Sequence, residues 1–114
     1  MVVAVTAFSD EVKRVRRLGV GTGDIAVAVG AQPATVNAWA RATRRPTGEK
    51  RERLMELVAL VDRLERVMSP RYVPLWLLKP VSALEDRRPI ELLSKGRYRD
   101  VSELVAELEN DSFS

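Results

Sequence analysis

Between Glu49 and Met68, apolar residues recur at Leu54, Leu57, Val58, Val61, Leu64 and Met68. That is the three- and four-residue spacing of one helix face. Leu60 and Val67 widen the face beyond a simple stripe. A helix of about twenty residues is about 30 Å long, the width of a small domain. Such an element either crosses the core of a single chain or packs against a partner subunit. In a chain of 114 residues, every other apolar segment has to be arranged around it.

The remaining segments are short and sharply punctuated. Ser9 before Asp10 and Glu11 reads as an N-cap with acids in the first turn, followed by Val12, Val15 and Leu18 and a stop at Gly19. Thr22 is the next N-cap candidate, with Asp24 in the first turn and Ile25, Ala26 and Val29 facing inward. Gly30 suits a left-handed helix end, and Pro33 suits the first turn of a new helix. Val36, Trp39 and Ala40 share that helix's buried face. Thr43 to Gly48 forms a loop. Ser69-Pro70 ends the long helix, and a short helix over Pro74–Leu78 runs into the Lys79-Pro80 break. A helical turn over Val81–Asp86, a short helix over Pro89–Lys95 and a last helix over Tyr98–Glu109 complete the chain. No segment alternates as a strand would. The expected fold is all-α, with residues 1–48, 49–69 and 70–114 as successive regions.

Composition narrows the chemistry. The chain has no cysteine, which rules out disulfides and thiol catalysis, and no histidine, which removes the commonest general base and zinc ligand. No carboxylate pair has a spacing that compensates. A binding protein without cofactor or metal is expected, not an enzyme. Apolar runs fall far short of the roughly 20 residues a membrane helix needs. The apolar start, Met1 to Ala7, lacks a basic flank and meets Asp10 too soon for a signal peptide, so a cytoplasmic location is expected. The net charge of +3 hides an asymmetry. Residues 1–53 carry ten Lys/Arg against five Asp/Glu, residues 54–114 carry nine against eleven, and Asp100–Ser114 holds five acids and no base. A basic half suits a polyanion, and an acidic end suits a basic partner.

Thr22–Arg41 has the order of a helix-turn-helix: a short helix, a turn with Gly30, and a helix opened by Pro33. With Val36, Trp39 and Ala40 buried, the outward face presents Gln32, Ala34, Thr35, Asn37, Ala38 and Arg41. Amide side chains pair with adenine, and Thr or Ala touches a thymine methyl. Arg41, Arg44 and Arg45 suit phosphates, and Lys13, Arg14, Arg16 and Arg17 add to the positive field. The same order also fits a helical hairpin that packs a core and never meets DNA.

Downstream, the residues Trp76-Leu77, Pro80, Leu84, Arg88-Pro89-Ile90-Glu91-Leu92-Leu93, Gly96, Val101 and Leu104 follow one another in a distinctive order. That order resembles the toxin-binding region of the Xre/MbcA/ParS antitoxin family, and the upstream pattern is similar to the family's Xre-like helix-turn-helix. Ala42-Thr43 stands where a glycine is common, and Gln32 where a stronger cap is usual. The resemblance implies an antitoxin whose C-terminal region covers the active-site cleft of an NAD⁺-degrading RES-type toxin, and whose N-terminal region binds operator DNA. The implied toxin contacts are Lys95, Arg97, Tyr98 and Arg99 around the glycine turn, and the tail Asn110, Asp111, Ser112, Phe113 and Ser114. Trp76–Gly96 is then the scaffold that aims them. A homodimer or a hetero-oligomer with the toxin is expected. Two other readings fit the residues: a stand-alone repressor with residues 47–114 as its dimerisation domain, and an interaction adaptor with a vestigial helix-turn-helix.

Overall fold

The computed structural model describes the backbone from Val3 to Phe113 and the side chains of residues 7–111. The described residues form seven α-helices: α1 (Val3–Leu18), α2 (Thr22–Val29), α3 (Pro33–Ala40), α4 (Gly48–Glu65), α5 (Val73–Leu78), α6 (Pro89–Ser94) and α7 (Tyr98–Phe113). Short 3-10 turns at Pro70–Tyr72 and Ser82–Leu84 link the later helices. An isolated bridge between Val81 and Arg87 is the one extended pairing among the described residues. The expected all-α fold is the observed one.

Helix α4 takes the first of its two options and crosses the core of the single chain. Leu54, Leu57, Val58, Leu60, Val61 and Leu64 are all buried within it. Helix α1 docks through Val12 and Val15, α2 through Ile25, Ala26, Ala28 and Val29, and α7 through Val101 and Val105, all in one continuous cluster. The packing runs across the chain's halves, because α2 packs against both α4 and α6. Ile90, Leu92 and Leu93 of α6 are completely buried. At the seam, Gly19 has φ +113°, and a β-carbon there would sit 3.1 Å from Cγ of Pro74. Glycine is needed twice over, for the backbone angle and for the close approach.

Two expected caps are corrected. Ser9 opens no helix, since α1 already runs from Val3. It lies buried in mid-helix, and its hydroxyl donates to the Ala40 carbonyl at 2.6 Å, tying α1 to the C-terminal end of α3. A tertiary acceptor takes the hydroxyl that the local pattern assigns to a cap. The cap of α2 is Gly21, with Thr22 already the first helical residue. Gly30 does take the left-handed conformation, at φ 72°. Helix α7 extends four residues beyond the expected end at Glu109. Three non-glycine residues also hold positive φ: Ala42 (59°), Glu85 (59°) and Asp86 (62°).

Ion pairs fasten the outer helices to α4. Arg14 on α1 donates to Asp62 and Glu65 at 2.6 Å each, and to Glu11 at 3.0 Å. On α4 itself, Arg63 donates to Glu109 through Nη2 at 2.7 Å and Nε at 3.1 Å, and to the Ser102 hydroxyl at 2.7 Å. The planar guanidinium matches the carboxylate with two parallel bonds, so it fixes the rotation of α7 as well as its position.

Candidate functional site

Two faces carry the residues singled out in the sequence. The first is α3 and the loop after it. Gln32 and Ala34 are exposed at the start of α3, Thr35 and Asn37 are half-buried along it, and Arg41, Arg44 and Arg45 are exposed just beyond its end. The loop folds back on the helix, because the backbone N–H groups of Thr43 and Arg44 both donate to the Ala38 carbonyl, at 3.0 and 3.4 Å. Ala42 makes that reversal in the left-handed region, where a glycine costs less. The three arginines therefore stay beside the helix they follow.

Some of the expected surface belongs elsewhere. Ala38, expected outward, is 7% exposed, because α3 lies against both α1 and α2 and the run Ala38-Trp39-Ala40 is covered. Arg14 turns away from this face to the carboxylates of α4. Arg16 instead reaches α3, donating from Nη1 to Oδ1 of Asn37 at 3.2 Å and to the Thr22 hydroxyl at 3.4 Å. The Asn37 amide therefore has its oxygen occupied from within the protein, which leaves its N–H₂ donors as the outward chemistry.

The second face is spread along α7. Lys95 and Arg99 are exposed at the α6–α7 turn, Tyr98 is half-buried, and Arg97 is held by Asp100 at 2.7 Å. Gly96 makes this turn at φ +75°, and a β-carbon there would meet Nη2 of Arg53 at 2.9 Å. Asn110 and Asp111 are exposed at the far end. Ser114 and the side chains of Ser112 and Phe113 lie outside the described residues. At 1.5 Å per residue, Arg99 and Asn110 are separated by about 16 Å along the helix, so the turn and the far end are two places and not one patch.

The tail end is electrostatically fixed. Hydrogen bonds from Arg63 hold the Glu109 carboxyl below its ordinary pKa, against the partial burial that pushes it up, and the charges of Arg63 and Arg66 add to the lowering. Glu109 is thus a carboxylate anchored to the last turn of α4.

The sequence pattern did not single out a third surface. Beside that end of α4, Met68, Tyr72, Leu75, Trp76, Leu78 and Lys79 line an open groove of about 620 Å³. Leu75 is 62% exposed and Tyr72 46%. The signal was available: Val73 to Leu78 is an unbroken apolar run in a six-residue helix, and a helix with one buried face cannot hide all of it. Among the described residues no cluster of acids could hold a metal ion, and no helix is long and apolar enough to cross a membrane.

No protein-family model matches the chain. Individual relatives do. Over 91 residues it is 30% identical to mycobacterial cidal antitoxin MbcA of Mycobacterium bovis and of Mycobacterium tuberculosis, covering 80% of either partner in the alignment. Over 93 residues it is 34% identical to a probable mycobacterial cidal antitoxin of M. tuberculosis, covering 82% of this chain and 79% of that relative. The fold also superimposes on a chain of the crystal structure of the M. tuberculosis MbcT–MbcA toxin–antitoxin complex. The TM-score is 0.77 at 27% identity, covering 90% of this chain and 94% of that one. With relatives 30% and 34% identical over 80% and 82% of its length, the chain belongs to the MbcA family of mycobacterial cidal antitoxins.

Proposed function

We propose that this protein is the antitoxin of a toxin–antitoxin pair and acts by occluding its toxin, with no catalysis of its own. The observation that carries the reading is the match, over 90% of the chain, to a fold found in a toxin–antitoxin complex, together with 30–34% identity to MbcA antitoxins. The partner proposed is an NAD⁺-degrading toxin of the RES type. The exposed cations Lys95 and Arg99, with Arg97 and Tyr98 beside them, and the tail Asn110–Ser114 are the proposed contacts. Their separation along α7 suits a partner gripped at two points. The test is direct. Purified chain is mixed with the product of the neighbouring toxin gene, and NAD⁺ is followed with time. A stable complex and a stoichiometric loss of NAD⁺ consumption are expected; no complex on gel filtration sinks the reading.

The same protein is proposed to repress its own operon through α2 and α3, in the manner of the Xre-like members of the wider antitoxin grouping. Support comes from the exposed Gln32 and Ala34 and from the three arginines held at the end of α3. Affinity would come from the arginines and base choice from Gln32, Ala34, Thr35 and Asn37. Replacing Arg41, Arg44 and Arg45 together with alanine is expected to weaken operator binding uniformly across sequences. It should also flatten the salt dependence by about 0.9 log units per log unit of salt for each phosphate that is no longer neutralised. Unchanged binding and slope in the triple variant exclude this face.

A further inference from the structure

Two amides belong to α3, and the protein treats them differently. Gln32 is exposed at the N-cap, where its side chain makes no capping hydrogen bond. Asn37 is half-buried, and its Oδ1 accepts from Nη1 of Arg16 at 3.2 Å. The same nitrogen reaches the Thr22 hydroxyl at 3.4 Å, so the guanidinium is seated between the start of α2 and the middle of α3. Its backbone is fixed as well, since the Arg16 carbonyl accepts from the Gly19 N–H at 3.0 Å where α1 ends. Arg14 spends its donors on Glu11, Asp62 and Glu65, whereas Arg16 has no carboxylate partner among the described residues. A guanidinium carries donors only, so the amide atom facing it has to be the oxygen; the reverse rotamer would set N–H₂ against N–H. The neighbour thus decides which way Asn37 points.

We propose that Arg16 is a positioning residue that makes Asn37 a reader of guanine and not of adenine. The inference rests on the DNA-binding reading of α2 and α3 above and names the base at one position of it. A paired bond to adenine needs both halves of an amide: the oxygen accepts from N6–H₂ while the N–H₂ donates to N7. One lone pair of the Asn37 oxygen is taken by Arg16. The other lies beside the guanidinium, so an adenine amino group brought there meets the cation's own N–H groups, donor against donor. Guanine carries acceptors at both N7 and O6, and everything offered at this point, the Asn37 N–H₂ and the spare N–H groups of Arg16, donates. Gln32 keeps its oxygen and its N–H₂ free and retains the adenine pairing. The two amides of one helix therefore select different purines.

The experiment titrates the full chain, by fluorescence anisotropy at fixed salt, with a duplex of the DNA upstream of its own gene and with single-base variants of that duplex. The position read by Asn37 is the one whose base no longer matters in Asn37→Ala. Wild type is expected to favour guanine over adenine there by about 10-fold. Arg16→Ala should bring adenine at least to parity, and Arg16→Lys, still a cation and a donor, should keep the guanine preference. Asn37→Asp gives Arg16 a carboxylate and offers the DNA acceptors only, so it should shift the preference towards cytosine, whose N4–H₂ donates. In an Asn37→Ala background Arg16→Ala should change no base preference, a result that general loosening of the fold does not produce. An Asn37-dependent preference for adenine in wild type overturns the proposal. So does a guanine preference that survives in Arg16→Ala. If the wild-type chain binds every duplex equally, the DNA-binding reading falls and this one falls with it. Specific binding that Asn37→Ala leaves unaltered at every position removes this inference alone.

Discussion

Arg63 grips Glu109 with two nitrogens on two oxygens, at 2.7 and 3.1 Å, and in doing so joins the last turn of α4 to the last turns of α7. The contact places the C-terminal end of the chain, and it is sensitive to acid. The Glu109 carboxyl has a lowered pKa in the folded state, chiefly through hydrogen bonds from Arg63. Its stabilising contribution is therefore fully present above the unfolded value of about 4.3 and is lost as pH falls through the lower folded value. Comparing thermal melts of wild type and Glu109→Gln should show a gap that is constant from about pH 6 to 8 and closes below about pH 4. A gap that persists undiminished at low pH contradicts this assignment. Arg63→Lys keeps the charge but loses the fork, and should lie nearer to Arg63→Ala than to wild type.

Ser9 is expected to matter through its hydroxyl alone. Ser9→Ala removes the donor to the buried Ala40 carbonyl, and equilibrium denaturation should register a loss of about 1–2 kcal/mol. A loss near zero would mean that the carbonyl finds another donor.

Ala42 offers a gain. Holding a non-glycine residue at φ 59° costs about 1 kcal/mol, and glycine removes that cost while adding freedom to the unfolded chain. The net expectation for Ala42→Gly is a stabilisation of about 0.5 kcal/mol, read as a higher denaturation midpoint at an unchanged slope.

Gly19 and Pro74 should be coupled. Gly19→Ala combines a positive-φ penalty with a β-carbon 3.1 Å from Pro74, and is expected to cost about 2–3 kcal/mol. In Pro74→Ala the steric part of that cost should vanish while the backbone part remains. A double-mutant cycle should show a coupling of about 1 kcal/mol, and strict additivity would mean that the added methyl never presses on the proline ring.

If α3 reads DNA as proposed, Arg16 bears on base choice through Asn37. With its bond to Oδ1 of Asn37 removed in Arg16→Ala, the amide is free to turn. The expected outcome in a randomised-site selection is a changed preference at one base position, with the phosphate-driven salt dependence reduced by at most about one phosphate's worth. An unaltered preference would show that Asn37 reads nothing.

Where local chemistry decides, the sequence was legible. Pro33, Pro89, Gly19, Gly30 and Gly96 stand at the helix boundaries they suggested, because fixed φ and positive φ act on the residue that carries them. Five of the expected stripe residues of α4, Leu54, Leu57, Val58, Val61 and Leu64, are buried as their period suggested, but the helix stops at Glu65 and not at Ser69-Pro70, so Met68 lies beyond it. The failures share a cause. Ser9 looked like a cap, and Ala38 like an outward residue, until distant helices covered them. Arg14 looked like part of a basic face until α4 supplied two carboxylates. In each case the deciding partner lies far along the chain, and no local pattern names it. The candidate contacts already fell into two groups in the sequence, the Gly96 turn and the tail, and α7 sets about 16 Å between Arg99 and Asn110.

The close approach of Gly19 to Pro74 also bears on how the two halves of the chain are joined. Helix α2 packs against both α4 and α6, so the basic N-terminal half and the C-terminal half share one core and no linker separates them. On the proposed reading, a toxin held at the C-terminal end and DNA held at α3 would be joined through that shared core.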